Sequence, residues 1–214
     1  MPEDQWHPEI LPGGWERAVQ ELDQRGVLSG FYLAGGTGLA LQLGHRRSVD
    51  LDLFCPGEFR PLDLRAQLAE LPGLRVRQIL RGTLHLELQD LLVSFLHYPY
   101  PLLFPTREFE VLTVADPRDI ACMKVDAIAS RGSRRDFVDL YITAQAYGLN
   151  EILAWFTTKY AGAPYNRIHL LKSLTYFSDA EREPMPDLLI PLEWSTVTQF
   201  FLSQVPTLWR MSSS

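Results

Sequence analysis

Residues 33–54 of the chain read LAGGTGLALQLGHRRSVDLDLF, and this stretch decides the fold. A short apolar strand ends at two glycines, a threonine caps a brief helix, and a strand of alternating polarity follows. Because side chains alternate across a strand, the two aspartates of that second strand, Asp50 and Asp52, lie on one face. A strand, a glycine turn, a helix and an acidic strand therefore follow one another within 22 residues.

Two carboxylates at positions i and i+2 of a strand repel each other unless a cation lies between them. Mg²⁺ is held by a few carboxylate oxygens together with substrate phosphates, so Asp50 and Asp52 are candidate metal ligands for nucleoside triphosphate chemistry. The alternative is that the two aspartates lie on the solvent-facing side of an ordinary strand. Aspartate is disfavoured in strands, however, which makes two in one short strand notable.

The turn formed by Gly35, Gly36 and Thr37 lies between a strand and a helix. Glycine permits close backbone approach, and a helix N-terminus presents free N–H groups to an anion. A phosphate fits such a turn. A tight turn that needs glycine only for its geometry remains the alternative, since two glycines do not make the longer P-loop pattern.

The composition is that of an ordinary globular protein, with 46% hydrophobic and 21% charged residues among 214. The net charge of −6 provides no general basic field for a polynucleotide, so any nucleic-acid contact must be local. We expect a cytoplasmic protein with no membrane contact, because neither a long apolar run nor a signal sequence is legible. Cys55 and Cys122 are expected to be reduced thiols.

The sequence pattern changes near residue 115. Before it, short apolar runs are separated by turn residues, and after it, apolar residues recur at helical spacing. The sequence predicts an α+β core over residues 1–115, with a mixed five- or six-stranded sheet flanked by helices, and a helical region over 116–214 packed on it. Helices are expected over residues 15–25, 37–43, 62–71, 117–131, 134–147, 150–160, 165–177 and 195–205, and strands over 31–34, 49–54, 74–79, 83–88, 91–97 and, as a sixth, 109–114.

The run GGTGLALQLGHRRSVDLDLF resembles the polymerase-beta-like nucleotidyltransferases, in which a glycine turn holds nucleotide phosphates and an Asp-x-Asp pair holds Mg²⁺. More narrowly, it is similar to the AbiEii/AbiGii-type toxin nucleotidyltransferases of abortive infection. A second match lies downstream and in the family's order: Lys124, Arg131 and the run Arg135-Asp136-x-x-Asp139-Leu. The resemblance spans roughly residues 30–147.

The resemblance implies an enzyme that uses Mg²⁺, or Mn²⁺, and an NTP to place a nucleoside monophosphate on a hydroxyl acceptor. It implies a toxin with an antitoxin partner, and tRNA or another cellular target as acceptor. By the same resemblance the catalytic residues are Asp50, Asp52, Lys124 and Asp136, the metal ligands are Asp50 and Asp52, and the nucleotide-binding residues are Gly35, Gly36, Thr37, Arg47, Ser48, Lys124 and Arg135.

Several of these residues also have structural interpretations. Lys124 lies on a mostly apolar helix stripe and could extend its ammonium out to solvent from the core. Asp136 could serve as the partner of a Ser133 cap, and Arg135 could pair with Asp139 one helical turn away. The basic residues 45–47 could be either a phosphate-facing cluster or a solvated turn.

The chain departs from the superfamily at one position. The third carboxylate that these enzymes carry on a later strand aligns with Ser94, and Glu87 on the preceding strand is a candidate substitute or a neutral edge-strand residue. This departure keeps two alternatives open: a catalytically degenerate nucleotide-binding or interaction module of the same fold, and a nucleotidyltransferase that acts on a small molecule.

Overall fold

The structure is a computed structural model, and it describes the backbone of residues 5–211 and the side chains of residues 5–208. The chain divides into two compact units, of which the first ends at Asp116 and the second begins at Pro117. The first unit is built on a β-sheet and the second is helical. That the helical region packs on the core stays a prediction.

The first unit contains the glycine turn and the acidic strand. Its helices are α1 (Trp15–Gln24), α2 (Gly35–Leu43) and α3 (Pro61–Leu68), and its strands are β1 (Tyr32–Leu33), β2 (Asp50–Cys55), β3 (Leu74–Leu80), β4 (Thr83–Leu88), β5 (Leu91–His97), β6 (Arg107–Phe109) and β7 (Leu112–Val114).

The strands of this unit form one mixed sheet in the order β3-β4-β5-β2-β1-β7-β6. The acidic strand β2 lies near the centre, parallel to β5 and antiparallel to β1. The predicted mixed α+β class is confirmed, but the expected count of five or six strands was too low. The segment over 109–114, predicted as one strand, contributes to a hairpin in which Phe109 pairs with Leu112, because the chain reverses at Glu110 with a φ of 52°.

One face of the sheet is buried in the core of the first unit. On β2 the core side chains are Leu51 and Leu53, and the neighbouring strand β5 adds Val93 and Phe95. Strand alternation therefore places Asp50 and Asp52 on the opposite face.

The glycine turn differs in detail from its prediction. Helix α2 begins at Gly35, two residues before the expected cap at Thr37, and its N-cap position is Ala34 without a side-chain cap. Gly35 enters the helix with a φ of 63°, a conformation that glycine adopts without steric cost, so no capping side chain is needed to turn the chain. Gly44 ends the helix in the left-handed region, as predicted.

The second unit is helical, and a longer connection over residues 174–193 precedes its last helix. Its helices are α4 (Pro117–Ser130), α5 (Arg134–Tyr147), α6 (Leu149–Lys159), α7 (Arg167–Ser173) and α8 (Trp194–Met211).

Two of these helices differ from their predicted lengths. Helix α7 ends at Ser173 rather than at the expected residue 177, and the Asn166 side chain fixes its start by accepting hydrogen bonds from the N–H groups of Ile168 and His169. Helix α8 continues beyond the expected end at residue 205 and passes through Pro206. Buried residues flank that proline, Val205 and Leu208, so packing carries the helix across it.

Both cysteines are buried free thiols, as expected. Burial raises the pKa of Cys55, and it raises the pKa of Cys122 to about 12. Neither thiol is therefore a reactive thiolate at neutral pH.

Across residues 5–208, no helix has the length and apolarity to span a membrane. In that same part of the chain, no three side chains of the histidine, cysteine or carboxylate type gather into a metal-binding group.

Candidate active site

The acidic pair of β2 is fixed by the strand that carries it. The exposure of β2 alternates strictly, with Leu51 and Leu53 anchored in the core and Asp50 and Asp52 partly accessible on the other face. A slip of the β2 register by one residue would exchange these two sets, which would expose the leucines and bury both carboxylates. The hydrophobic core therefore sets the direction of the acidic pair.

One oxygen of Asp50 lacks a hydrogen-bond partner. Its Oδ1 atom is buried and receives no hydrogen bond from any residue in the described part of the chain. An unsatisfied buried anion is costly, since its hydration is lost without replacement. A bound cation would compensate this oxygen.

The hydroxyl of Thr37 holds the beginning of β2 in place. Thr37 Oγ1 donates a short hydrogen bond to the carbonyl oxygen of Asp50, and the Ser48 Oγ atom lies 2.6 Å from Thr37 Oγ1. A hydroxyl has a single proton, so Ser48 donates to Thr37. Thr37 is buried, so its hydroxyl helps to fix the backbone of Asp50 from within the protein.

Both glycines of the turn permit a close approach by a site side chain. A Cβ atom on Gly35 would lie 2.9 Å from Oδ2 of Asp52. A Cβ atom on Gly36 would overlap the Nη2 atom of Arg46. The first turn of α2 therefore lies against a carboxylate of the acidic pair and against a guanidinium.

Arg46 was not among the predicted nucleotide-binding residues, whereas its neighbour Arg47 was. Arg46 is buried at 5% exposure and donates to the carbonyl oxygen of Arg47, while Arg47 itself is exposed. A sequence signal for Arg46 existed. The two-residue period that joins Asp50 to Asp52 extends back through Ser48 to Arg46 and omits Arg47.

Ser94 occupies the place beside the acidic pair on the neighbouring strand. The register pairs Asp52 with Ser94 across β2 and β5, and pairs Ser94 with His85 across β5 and β4. The Oγ atom of Ser94 lies 2.9 Å from Nδ1 of His85. A row of three polar side chains, Asp52, Ser94 and His85, therefore crosses this face of the sheet.

Glu87 has a structural role. Its carboxylate accepts a hydrogen bond from Arg75 at 3.2 Å and a second, shorter one from Arg77. Its strand β4 is an interior strand of the sheet, so the interpretation of Glu87 as an edge-strand residue was wrong. Two arginines of the true edge strand β3 neutralise its charge.

In the helical unit, the second group of predicted site residues forms a buried ion cluster. The Nζ atom of Lys124 on α4 lies 2.8 Å from Oδ1 of Asp136 and 2.7 Å from Oδ2 of Asp139, both on α5. The Nε atom of Arg131 donates to Oδ2 of Asp136 at 2.9 Å. We call Lys124, Arg131, Asp136 and Asp139 the helix ion cluster.

The charges of the helix ion cluster compensate one another. The Lys124 side chain is 5% exposed, so it does not extend to solvent as one interpretation had it. Burial alone would raise the pKa of Asp136, but the positive charges of Lys124 and Arg131 outweigh it and hold that pKa well below its usual range. Ser133 caps α5 and also donates to Asp136 at 2.6 Å, as its sequence position predicted. Arg135 is exposed.

Comparison with known proteins gives a consistent result. A relative from Aquifex aeolicus (strain VF5), the protein aq_aa25, is 37% identical over 194 residues, which are 88% of this chain and 92% of the relative. The nucleotidyltransferase toxin MenT4 from Mycobacterium tuberculosis H37Rv has a similar fold, with a TM-score of 0.55 at 16% identity over 90% of this chain and 84% of its own.

ANT(2″)-Ia, solved in complex with adenylyl-2″-tobramycin, matches with a TM-score of 0.54 at 16% identity over 73% of this chain and 99% of its own. The family model described as nucleotidyl transferase AbiEii toxin, type IV TA system, matches residues 17–90 and 77–212. The two matched segments cover nearly the whole chain, which belongs to the AbiEii family of nucleotidyltransferase toxins.

Proposed function

We propose that the protein is a Mg²⁺-dependent nucleotidyltransferase that moves a nucleoside monophosphate from an NTP to a hydroxyl group of its acceptor. The observation that carries the proposal is the acidic pair on β2, in which the buried Oδ1 atom of Asp50 has no hydrogen-bond partner within the described residues. The first turn of α2, at Gly35 and Gly36, lies beside this pair.

The residues present fit a divalent cation. Mg²⁺ is commonly bound through one or two carboxylates together with phosphate oxygens of a substrate, and Asp50 and Asp52 provide two carboxylates on one face. When bound, the ion would supply compensation for phosphate charge and orientation of the reacting oxygens. Mn²⁺ prefers the same kind of ligand and would be accepted at the same pair.

The nucleotide phosphates are proposed to lie at the N-terminus of α2. The first N–H groups of a helix have no acceptor within the helix, and the helix dipole favours negative charge there. Glycines at positions 35 and 36 let the Asp52 carboxylate and the Arg46 guanidinium approach this backbone closely. The positive charge of the guanidinium and of the helix dipole therefore lies beside the acidic pair, as a triphosphate bound with Mg²⁺ requires.

The downstream family residues are part of the proposal. Lys124 and Asp136 are assigned the family's lysine and aspartate roles, and Arg135 the accompanying nucleotide contact. Support comes from their contact and from the charge of Asp136: its pKa is lowered, so it is a carboxylate at neutral pH, and it lies 2.8 Å from the Nζ atom of Lys124. Thr37 and Ser48 are proposed to act by positioning Asp50, and Arg47 by contacting the nucleotide from an exposed position.

We propose RNA, with a tRNA end as the first candidate, as the acceptor, and an antitoxin as the protein partner. The family is one of toxins in toxin–antitoxin systems, and MenT4 is described as a nucleotidyltransferase toxin. NTPs and RNA meet in the cytoplasm, where we expect the protein to act. The product seen with ANT(2″)-Ia, an adenylylated antibiotic, makes a small-molecule acceptor the other outcome to test.

The proposal is tested by label transfer. Wild-type protein is incubated with Mg²⁺, each α-labelled NTP in turn and a cell extract, and the RNA, protein and small-molecule fractions are then separated. We expect label in the RNA fraction, and a loss of at least about 100-fold for the Asp50→Asn, Asp52→Asn double variant. Asp63→Asn, an exposed aspartate of α3, is the matched control and should transfer at the wild-type rate.

The fraction that contains the label identifies the class of acceptor. Label in the small-molecule fraction alone would replace RNA by a small acceptor and keep the reaction. Undiminished transfer by the double variant would overturn the assignment of Asp50 and Asp52.

A second candidate function is a degenerate nucleotide-binding module, and Ser94 is the observation that favours it. Ser94 lies directly opposite Asp52, where a carboxylate would complete the acidic group. This candidate predicts Mg²⁺-dependent NTP binding, measured by calorimetry, with no label transferred to any fraction. Robust transfer that depends on Asp50 and Asp52 would exclude it.

A further inference from the structure

The row of Asp52, Ser94 and His85 carries an inference that rests on the proposed function and deepens it. Transfer of a nucleoside monophosphate to a hydroxyl group requires that the hydroxyl lose its proton. A group that accepts this proton must lie beside the reacting oxygens. The position next to Asp52 is filled by a serine, and a serine hydroxyl is too weak a base to hold the proton by itself.

We propose that Ser94 contacts the acceptor hydroxyl and passes its proton to His85, so that the two residues act as the proton acceptor of the reaction. Ser94 lies one strand from Asp52, about 4.8 Å in the hydrogen-bonding direction of a sheet. The Ser94 Oγ atom and His85 Nδ1 are 2.9 Å apart, within hydrogen-bond distance. A serine hydroxyl can pass on a proton effectively when a histidine lies within hydrogen-bond distance to accept it.

The position of the pair on the sheet fits this role. Ser94 and His85 follow Asp52 along one register row, so their side chains leave the sheet on the face of the acidic pair. His85 is half-buried and retains solvent access, which a group that must release a proton after each turnover needs. The opposite face of the same strands is closed, since Leu84 and Leu86 are buried in the core.

The proton and electron balance of the step is complete. The acceptor hydroxyl gives its proton to Ser94 Oγ while Ser94 gives its own proton to His85 Nδ1. The acceptor oxygen forms a bond to the α-phosphorus, the bond from that phosphorus to the bridging oxygen breaks, and pyrophosphate leaves. The imidazolium formed at His85 then returns its proton to water.

The charged groups nearest to His85 on its own and the neighbouring strand are Glu87 on β4 and Arg75 and Arg77 on β3. Glu87 forms ion pairs with both arginines. Asp52 lies on the other side of Ser94 in the row, where the acceptor is proposed to bind.

The test combines four single variants and one double variant with two measurements. In label transfer at saturating NTP and a fixed amount of unfractionated tRNA, His85→Gln and Ser94→Ala should each lower kcat by about 10²-fold or more, the typical contribution of a positioned proton acceptor. The wild-type rate should fall toward acid pH, because a protonated His85 cannot accept the proton, and His85→Gln should lose this limb of the profile. His97→Gln, a half-buried histidine on β5 that faces away from Ser94, is the matched control.

Replacement of the serine by a carboxylate gives the sharpest result. In the Ser94→Asp variant the new carboxylate can accept the proton without His85. Adding His85→Gln to this variant should therefore lower kcat by less than about threefold. The fall in the rate of Ser94→Asp at acid pH should begin at a lower pH than in the wild type. Equal losses from His85→Gln in the two backgrounds, or a wild-type rate and pH profile in the His85→Gln variant, would overturn the proposal.

The second measurement does not depend on activity. Nitrogen NMR of the labelled protein, with the His85 signals assigned through His85→Gln, should find Nδ1 without a proton and Nε2 protonated at neutral pH. A proton resident on Nδ1 would make His85 the donor to Ser94 and overturn the proposal. Failure of the proposed function is distinct, because it appears as transfer that is unaffected by Asp50→Asn.

Discussion

Two groups of charged side chains, the helix ion cluster and the acidic pair of β2, differ in how their charges are compensated. In the helix ion cluster, Lys124 lies within 2.8 Å of two carboxylates, and Asp136 accepts from two cations and a hydroxyl. On β2, the Oδ1 atom of Asp50 is buried and accepts no hydrogen bond from the described residues. The carboxylates of the first group have partners within the protein, whereas one oxygen of the second has no hydrogen-bond partner among the described residues.

This difference predicts different effects on stability when a charge is removed. Removal of one partner from a compensated group costs stability, because the remaining charge stays buried. Removal of an uncompensated charge costs little, because its desolvation penalty disappears with it. The free energy of unfolding should therefore fall for a neutralising variant in the helix ion cluster and stay unchanged or rise for one at Asp50.

The largest stability effect is expected at the most deeply buried ion pair of the helical unit. Lys159 and Asp119 are both fully buried, with 2.7 Å between Nζ and Oδ1. Asp119→Asn leaves the ammonium buried without its carboxylate, so the free energy of unfolding should fall by about 3–5 kcal/mol in urea denaturation. Asp179→Asn removes an exposed ion pair, in which 3.6 Å separates Asp179 Oδ1 from Arg182 Nη1. This variant should lower the free energy of unfolding by less than about 1 kcal/mol.

The double replacement Asp119→Leu, Lys159→Met sharpens this result. It removes both charges and keeps apolar volume, so most of the lost stability should return. A cost of Asp119→Asn no greater than that of Asp179→Asn would contradict the importance of the buried pair.

The next effect is expected in the helix ion cluster. Asp136→Asn should lower the free energy of unfolding by about 2 kcal/mol, less than Asp119→Asn, because Lys124 keeps its contact with Asp139. The pKa of Asp136 is lowered in the folded protein, so its contribution is fully present above the ordinary aspartate range of about 3.9 and is lost as the pH falls toward the folded-state pKa.

Urea denaturation at a series of pH values tests whether the pKa of Asp136 is lowered in the folded protein. The difference in stability between wild type and Asp136→Asn should be constant from about pH 8 to about pH 5 and should shrink below about pH 4. A difference that grows as the pH falls would mean that the folded-state pKa of Asp136 is raised.

The sequence was informative wherever a local period or cap decides the structure. The alternation in β2 predicted that Asp50 and Asp52 share a face, and the spacing of Ser133 and Asp136 predicted the cap of α5. These features need only neighbours along the chain. The mixed α+β class and the family also followed from the sequence.

Contacts between distant segments could not be predicted in the same way. Thr37 looked like a helix cap and a phosphate ligand, but its hydroxyl bonds the carbonyl oxygen of Asp50, 13 residues away. Lys124 looked like a surface-reaching lysine, but it lies between two buried carboxylates of another helix. In each case the partner is known only after the strands or helices pack.

Gly35 allows the acidic pair to be disturbed without a change of charge. Its φ is 63°, and a Cβ atom there would lie 2.9 Å from Asp52 Oδ2. Gly35→Ala should cost about 1–2 kcal/mol of stability through backbone strain and should displace the Asp52 carboxylate, so that Mg²⁺-dependent NTP binding weakens as well. Gly57→Ala has no atom within 4 Å of its Cβ, and neither stability nor binding should change there. Strain without a loss of binding would place Asp52 outside the metal site.

The smallest stability effect is expected at Asp50, where the largest functional effect is also expected. Asp50→Asn removes a carboxylate whose Oδ1 atom is buried without a partner in the described residues, so the free energy of unfolding should stay unchanged or rise by up to about 1 kcal/mol. Mg²⁺ with NTP should raise the Tm of the wild type but not that of the variant, because a ligand stabilises only the form that binds it. Thermal unfolding of both proteins, with and without Mg²⁺ and NTP, measures the two effects together. If Asp50→Asn lost as much stability as Asp136→Asn, Asp50 would belong to a compensated structural network like the helix ion cluster, and the contrast between the two groups would be wrong.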